Sequence, residues 1–138
     1  MSDEQTAAAE ESLLRGRELA ASLTVDDIGV SEAWYRDVLG FAVARRIERE
    51  GRLVAVSLRA GDVRLLLTQD DGAKGTGRAK GEGFSLQITT AQDIDVLAAH
   101  VRDHGGTFDT EPTDTPWGPR IFRLRDPDGF RFTISSGT

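Results

Sequence analysis

Apolar and polar residues alternate through most of this chain, and the period of the alternation changes in a regular order. Residues 19–25 and 84–90 alternate with the period of two that marks a half-buried strand. Each of these runs leads into a stretch of helical period. Ile94, Leu97, Ala98 and Val101 recur at i, i+3, i+4 and i+7, while Val30, Ala33, Trp34 and Val38 trace a less regular stripe in the earlier stretch. Asp27 and Asp93 stand where helix N-caps belong, and Gly40 and Gly105 or Gly106 stand where a left-handed residue ends a helix. The pattern therefore predicts two helices of about three turns each. Alternating runs broken by turn residues follow the first helix at 41–47, 53–58 and 63–68, and the second at 107–110, 121–125 and 130–135.

The two halves are related in sequence as well as in pattern. Sliding the chain by 66 positions lays TVDDIGVSEAWYRDVLG (24–40) on TAQDIDVLAAHVRDHGG (90–106), with eight of seventeen positions identical. A chance overlay would give about one. The plan is β-α-β-β-β, twice, in an α+β class. It divides the chain into an acidic arm (1–17), a first βαβββ module (18–70), a Gly-rich linker without periodicity (71–83) and a second βαβββ module (84–138). The arm is rich in Ala and Glu, as suits either a short helix or an unfolded segment.

The most informative stretch is the last predicted hairpin, DTPWGPRIFRLRDPDGFRFTI (114–134). Asp126-Pro127-Asp128-Gly129 suits a type I turn, with an acceptor first, proline second and glycine fourth. Phe122, Leu124, Phe130, Phe132 and Ile134 then share one side, and Arg123, Arg125, Arg131, Thr133 and Ser135 the other. The corresponding hairpin of the first module sets Val63, Leu65 and Leu67 against Arg64, Leu66 and Thr68.

Paired βαβββ modules, DDIGVSEAWYRDVLGF at the first helix and TPWGPRIFRLRDPDGF near the end resemble the vicinal oxygen chelate superfamily of glyoxalase I, extradiol dioxygenases, fosfomycin-resistance transferases and bleomycin-resistance proteins. The PWG followed by LRDPDG looks most like the bleomycin-resistance branch. The resemblance implies tandem modules forming a curled mixed sheet around a cavity, with the helices outside and the other face of the strands lining the cavity. It also implies a homodimer, in which modules of different chains can complete each cavity. Metal-dependent members carry one His, Gln or Glu on the first strand and a carboxylate on the last strand of each module. Position by position, these fall here on Ala20, Leu66, Thr133 and either Ser85 or Leu86. None offers the imidazole or carboxylate that zinc, iron or manganese requires. No metal and no cofactor are expected. His100 and His104, at i and i+4, have the spacing to chelate but no third ligand, and Glu18 is the one carboxylate with the parity to reach a cavity rim.

Composition narrows the partners. The chain has 138 residues, no cysteine and a net charge of −6. Asp3, Glu4, Glu10 and Glu11 supply most of that charge, so the remainder is nearly balanced and offers no basic stripe for nucleic acid or a membrane surface. No run of about 18 apolar residues is present, and the amino terminus lacks the features of a secretory signal, so the expected location is the cytoplasm.

The expected ligand-binding residues are Ser22, Thr24, Arg64, Gln87, Trp117, Arg123, Arg131 and Thr133. Guanidiniums on adjacent strands favour a carboxylate, a phosphate or an oxygen-rich ring, although arginine is also common on a merely wet strand face. Trp117 can stack on a flat guest or pack its loop onto the sheet. The leading expectation is a non-catalytic binding protein for a small molecule such as an antibiotic or aromatic metabolite, with a nearly neutral body and arginines that suit an anionic or neutral guest. The alternatives are a divergent lyase, isomerase or dioxygenase of the same superfamily, and an interaction module.

Overall fold

The computed structural model describes residues 3–137. Its elements are α1 (Asp3–Glu11), β1 (Ala20–Val25), α2 (Ile28–Asp37), β2 (Ala42–Arg49), β3 (Arg52–Ala60), β4 (Val63–Gln69), β5 (Leu86–Thr89), α3 (Ile94–Asp103), β6 (Thr110–Asp114), β7 (Arg120–Arg125) and β8 (Arg131–Ser135). Beyond α1 the order is βαβββ, repeated. Each repeat forms a four-stranded sheet, β1-β4-β3-β2 and β5-β8-β7-β6, in which the first strand lies parallel to the last and the other pairs are antiparallel. The two sheets share no ladder, and neither closes on itself. Among the described residues no helix is long and apolar enough to cross a membrane.

Both helices begin as their sequences dictate. The Asp27 carboxylate accepts from the N–H groups of Gly29 and Val30, and that of Asp93 from Asp95 and Val96, so each satisfies two of the donors a helix start leaves free. Gln69, at the end of β4, adds a second lock on α2. Its Oε1 accepts from Ile28 N at 2.9 Å and its Nε2 donates to the Asp26 carbonyl at 2.7 Å. Gly105, at φ +84°, is the left-handed residue after α3. Gly106 has a different reason to be glycine: a Cβ there would lie 2.7 Å from Val38 Cγ1 and collide with Val101.

Two details depart from expectation. The buried face of α2 is Ile28, Ser31, Glu32 and Tyr35, continued by Val38, whereas Val30 is exposed and Trp34 half-buried. The polar members of that face have partners elsewhere: Glu32 lies 3.0 Å from Arg46 on β2, and Tyr35 reaches the second module. The second strand of the second module is Thr110–Asp114 rather than 107–110. It contains Pro112, which has no N–H to donate, and the register shifts between Thr110 and Thr113, as proline requires on an edge strand.

One core serves both modules. Leu23, Val25, Val56, Leu58, Leu65 and Leu67 from the first sheet join Phe122, Leu124, Phe130, Phe132 and Ile134 from the second, with Ile28, Tyr35, Val38, Ile94, Ala98 and Val101 of the helix segments between them. The helix-covered faces of the two sheets thus look toward each other, and their opposite faces point away.

The modules are pinned by polar contacts at one end of this core. Tyr35, fully buried, meets Phe132 edge to face at 5.8 Å and donates its hydroxyl to Asp126 at 2.7 Å. Asp126 Oδ1 also accepts from Phe130 N and Asp128 N, while Gly129 N closes the predicted turn on the Asp126 carbonyl at 3.0 Å. Burial raises the Asp126 carboxyl above the usual carboxylate range, and these donors counter part of that effect. Asp128 accepts from Asp26 N and Ser31 Oγ of the first module. Replacing Tyr35 with Phe is expected to destabilise the chain by about 1.5–3 kcal/mol, the usual contribution of a hydrogen bond to a charged group. Asp126→Ala should cost more, since it also strands two backbone donors. Urea unfolding of the two variants checks both values and their order.

Candidate functional site

The outer face of each sheet is built by strand alternation. On the first sheet, Ala20 pairs with Arg64 and Arg64 with Arg59; Ser22, Leu66, Ser57 and Arg45 form the next row, and Thr24, Thr68 and Ala55 the row beyond. On the second sheet, Gln87, Thr133, Arg123 and Thr110 form one row, flanked by Arg131 beside Arg125. The register of β5 puts Leu86 on the core side opposite Phe132, so Ser85 rather than Leu86 has the outer parity.

The structure divides the sequence-predicted residues into two sets. Ser22, Thr24 and Arg64 lie on the first outer face, and all three are exposed. Gln87, Arg123, Arg131 and Thr133 lie on the second; Gln87 and Arg123 are exposed, Arg131 half-buried and Thr133 buried beneath its neighbours. Arg123 Nε donates to Thr133 Oγ1 at 3.3 Å and Arg131 Nη2 to the Gly81 carbonyl at 3.3 Å. Trp117 is 70% exposed at the tip of the β6–β7 loop, which is closed by Thr115 N to the Pro119 carbonyl at 2.9 Å. It packs on neither sheet.

Sequence reasoning missed Arg45 and Arg59, which share the first outer face with Arg64. Arg59 lies one residue beyond the strand expected at 53–58, and Arg45 has the parity of the apolar Phe41 and Val43 until a bulge in β2 between Val43 and Arg45 shifts the register. The charge balance of these faces is distinctive. Arg59 lies 3.5 Å from Glu18, and Arg125 is paired with Asp109 at 2.8 Å. Among the described residues no carboxylate lies within ion-pairing distance of Arg45, Arg64, Arg123 or Arg131. Four guanidiniums free of acids give both faces a positive potential and planar, multi-donor groups for oxyanions.

A cleft of about 590 Å³ opens on the first outer face. Ser22, Thr24 and Thr68 form its floor, Lys74 and Arg78 of the linker its roof, and Phe84 and Phe130 an apolar end. The Thr24 and Thr68 hydroxyls are 3.3 Å apart. The linker is held in place by Lys80, whose nearly buried ammonium lies 2.8 Å from Asp26 and 2.9 Å from Asp70. Next to it the chain passes so close to the β7–β8 turn that a Cβ on Gly81 would lie 2.7 Å from the Gly129 carbonyl. The Lys80 hydrogen bond, followed by that of Gly72 N, lowers the Asp70 carboxyl to about 2.

The donor set does not fit a divalent metal. The superfamily's ligand positions hold Ala20, Leu66, Ser85 and Thr133, and among the described residues no three His, Asp or Glu side chains form a group that could hold a metal ion. His100 and His104 stack at 3.9 Å, and their ring nitrogens meet the carbonyls of Asp37 and His100 instead.

Two mixed βαβββ sheets packed through their helices, with polar outer faces left open, define the class of duplicated half-cup proteins. The chain belongs to the Glyoxalase/Bleomycin resistance protein/Dioxygenase superfamily, whose family model matches residues 19–134. Solved structures share the fold. UcmS2 has a TM-score of 0.74 at 19% identity, covering 90% of this chain and 100% of its own. TioX from Micromonospora sp. ML1 has a TM-score of 0.71 at 20% identity, with 87% of this chain and 98% of its own covered. TnmS3, an antibiotic binding protein from Streptomyces sp. CB03234, has a TM-score of 0.67 at 20% identity, covering 87% and 94%. No curated protein matches in sequence.

The Lys80 clamp sets a test of the cleft roof. Lys80→Met should remove the ion pair of Asp26, leave Asp70 only its longer contact with Arg78 at 3.5 Å, and speed tryptic cleavage at Lys74 and Arg78 severalfold while the modules stay folded. In the wild type, Asp70 titrates lower when folded than when unfolded, so its stabilisation is complete above about pH 4 and is lost as pH falls toward the lowered value. Cleavage after brief acid exposure, using an acid-active protease, should rise across that window, and the rise should vanish in Asp70→Asn.

Proposed function

We propose that the chain is a non-catalytic binding protein for an anionic or oxygen-rich aromatic small molecule, acting as a cytoplasmic homodimer. The outer face of the first sheet of one copy and that of the second sheet of another make one cup. The observation that carries this reading is the set of acid-free guanidiniums, Arg45 and Arg64 on one face and Arg123 and Arg131 on the other, on faces that point away from each other within a chain. A half-cup open to water encloses too little of a guest to exclude solvent, and a second copy supplies the missing wall.

Within such a cup each group has a role. The guanidiniums hold the anionic or oxygen-rich edge of the guest in forked hydrogen bonds. Ser22, Thr24, Gln87 and Thr133 add neutral hydrogen bonds, and Leu66, Phe84 and Trp117 offer apolar and aromatic surface. In this reading binding is the whole reaction and the guest leaves unchanged. The similarly folded TnmS3, an antibiotic binding protein, supports a small organic molecule as the ligand.

The anionic aromatic 1-anilinonaphthalene-8-sulfonate serves as a probe. Binding should be lost in Arg64→Glu and in Arg123→Glu, and should weaken by about ten-fold or more in Arg123→Ala, the effect of one charged hydrogen bond. Refolding the two Glu variants together should restore part of the signal, because a mixed dimer contains one cup with both faces intact. No recovery in a mixture shown to contain mixed dimers would place both faces of a cup in one chain, and a monomer at all concentrations by light scattering would remove the shared cup altogether.

A further inference from the structure

The duplication is imperfect at the junction between modules, and the imperfection leaves a cavity. At one end α2 meets the β7–β8 turn through Tyr35, Asp126 and Phe130, all buried. The repeat relation places Val101 at the counterpart of Tyr35 and Ala60 at that of Asp126, each 66 residues away, and Val63 at that of Phe130, 67 away. At the opposite end α3 therefore faces the β3–β4 turn with a valine, an alanine and a valine where the first end has a phenol, a carboxylate and a phenyl ring. The volume they leave is a cavity of about 620 Å³, lined by Val63, Val101, Ala60, Leu39, Phe41 and Ile88 among others. Gln92 and His100 bring polar groups to it.

We infer that this cavity is a second ligand site, distinct from the cup, and that it takes a small neutral aromatic molecule. Its size is that of a small-molecule pocket. Its walls are the core side of both modules and lack the arginines of the outer faces, and Asp62 at the β3–β4 turn is the one carboxylate in its lining, so an anionic guest would be desolvated there without a partner. The filled end of the same junction shows the shape that fits between a helix and the turn of the other module: one or two aromatic rings with a single polar edge. A guest at the open end restores packing that the chain supplies for itself at the other, and water gains little in a space walled largely by hydrocarbon.

The neutral fluorophore N-phenyl-1-naphthylamine tests the assignment on the full chain. It should bind the wild type with a blue-shifted emission. Val63→Phe and Ala60→Leu each fill the cavity from its wall and should weaken binding by about ten-fold or more, a loss of 1.4 kcal/mol or greater. Both should leave anilinonaphthalene sulfonate binding unchanged, and Arg123→Ala should do the reverse. Two filling variants are used so that the loss of either fold leaves the other to decide. The assignment fails if the wild type does not bind the neutral probe. It fails equally if the folded filling variants retain the probe, or if Arg123→Ala abolishes it, which would put the probe in the cup.

Discussion

The structure turns on a single buried contact, the Tyr35 hydroxyl donated to Asp126 at 2.7 Å. A phenol and a carboxylate are costly to remove from water, and here each is the partner that makes the other's burial tolerable. Because the carboxylate also caps two N–H groups of its own turn, the contact ties α2 to the last hairpin with one geometry. It holds the helix-covered faces of both sheets together over a common core. The polar faces then have only one direction left, which is outward.

That direction explains the chemistry of the outer faces. A wet strand face would ordinarily mix acids and bases, yet Arg45, Arg64, Arg123 and Arg131 have no acid within ion-pairing distance, while Glu18, Asp109, Asp26 and Asp70 are engaged by Arg59, Arg125 and Lys80. The Lys80 clamp folds the linker over Ser22 and Thr24, so the first face has a roof as well as a floor. Hydroxyl, amide and guanidinium bind organic oxygen well, and they bind a divalent cation poorly. A superfamily known for metal sites is thus represented here by a chain whose corresponding positions have a different chemistry.

Duplication also gives the molecule an internal control. The same backbone relation is filled by Tyr35, Asp126 and Phe130 at one end and left open by Val101, Ala60 and Val63 at the other. Two modules with the same plan therefore meet in a joint that is filled and hydrogen-bonded on one side and open and largely apolar on the other.

Local pattern alone determined the duplication, the order of elements, the Asp27 and Asp93 caps and the Asp126–Gly129 turn, because each depends on residues within about one turn or one strand pair of each other. The outer placement of Arg64, Arg123 and Arg131 followed from the same period of two. The apolar stripe read on α2 included Val30, which is exposed, because hydrophobicity ranks it above Ser31 and Glu32, whose burial depends on partners in the last hairpin and on β2. Strand β6 began later than its alternation suggested because Pro112 displaced the register. Only the tertiary structure decided that the two faces diverge and that one junction is hollow. These are properties of how the two modules meet, and side chains with no periodic relation in the sequence govern that meeting.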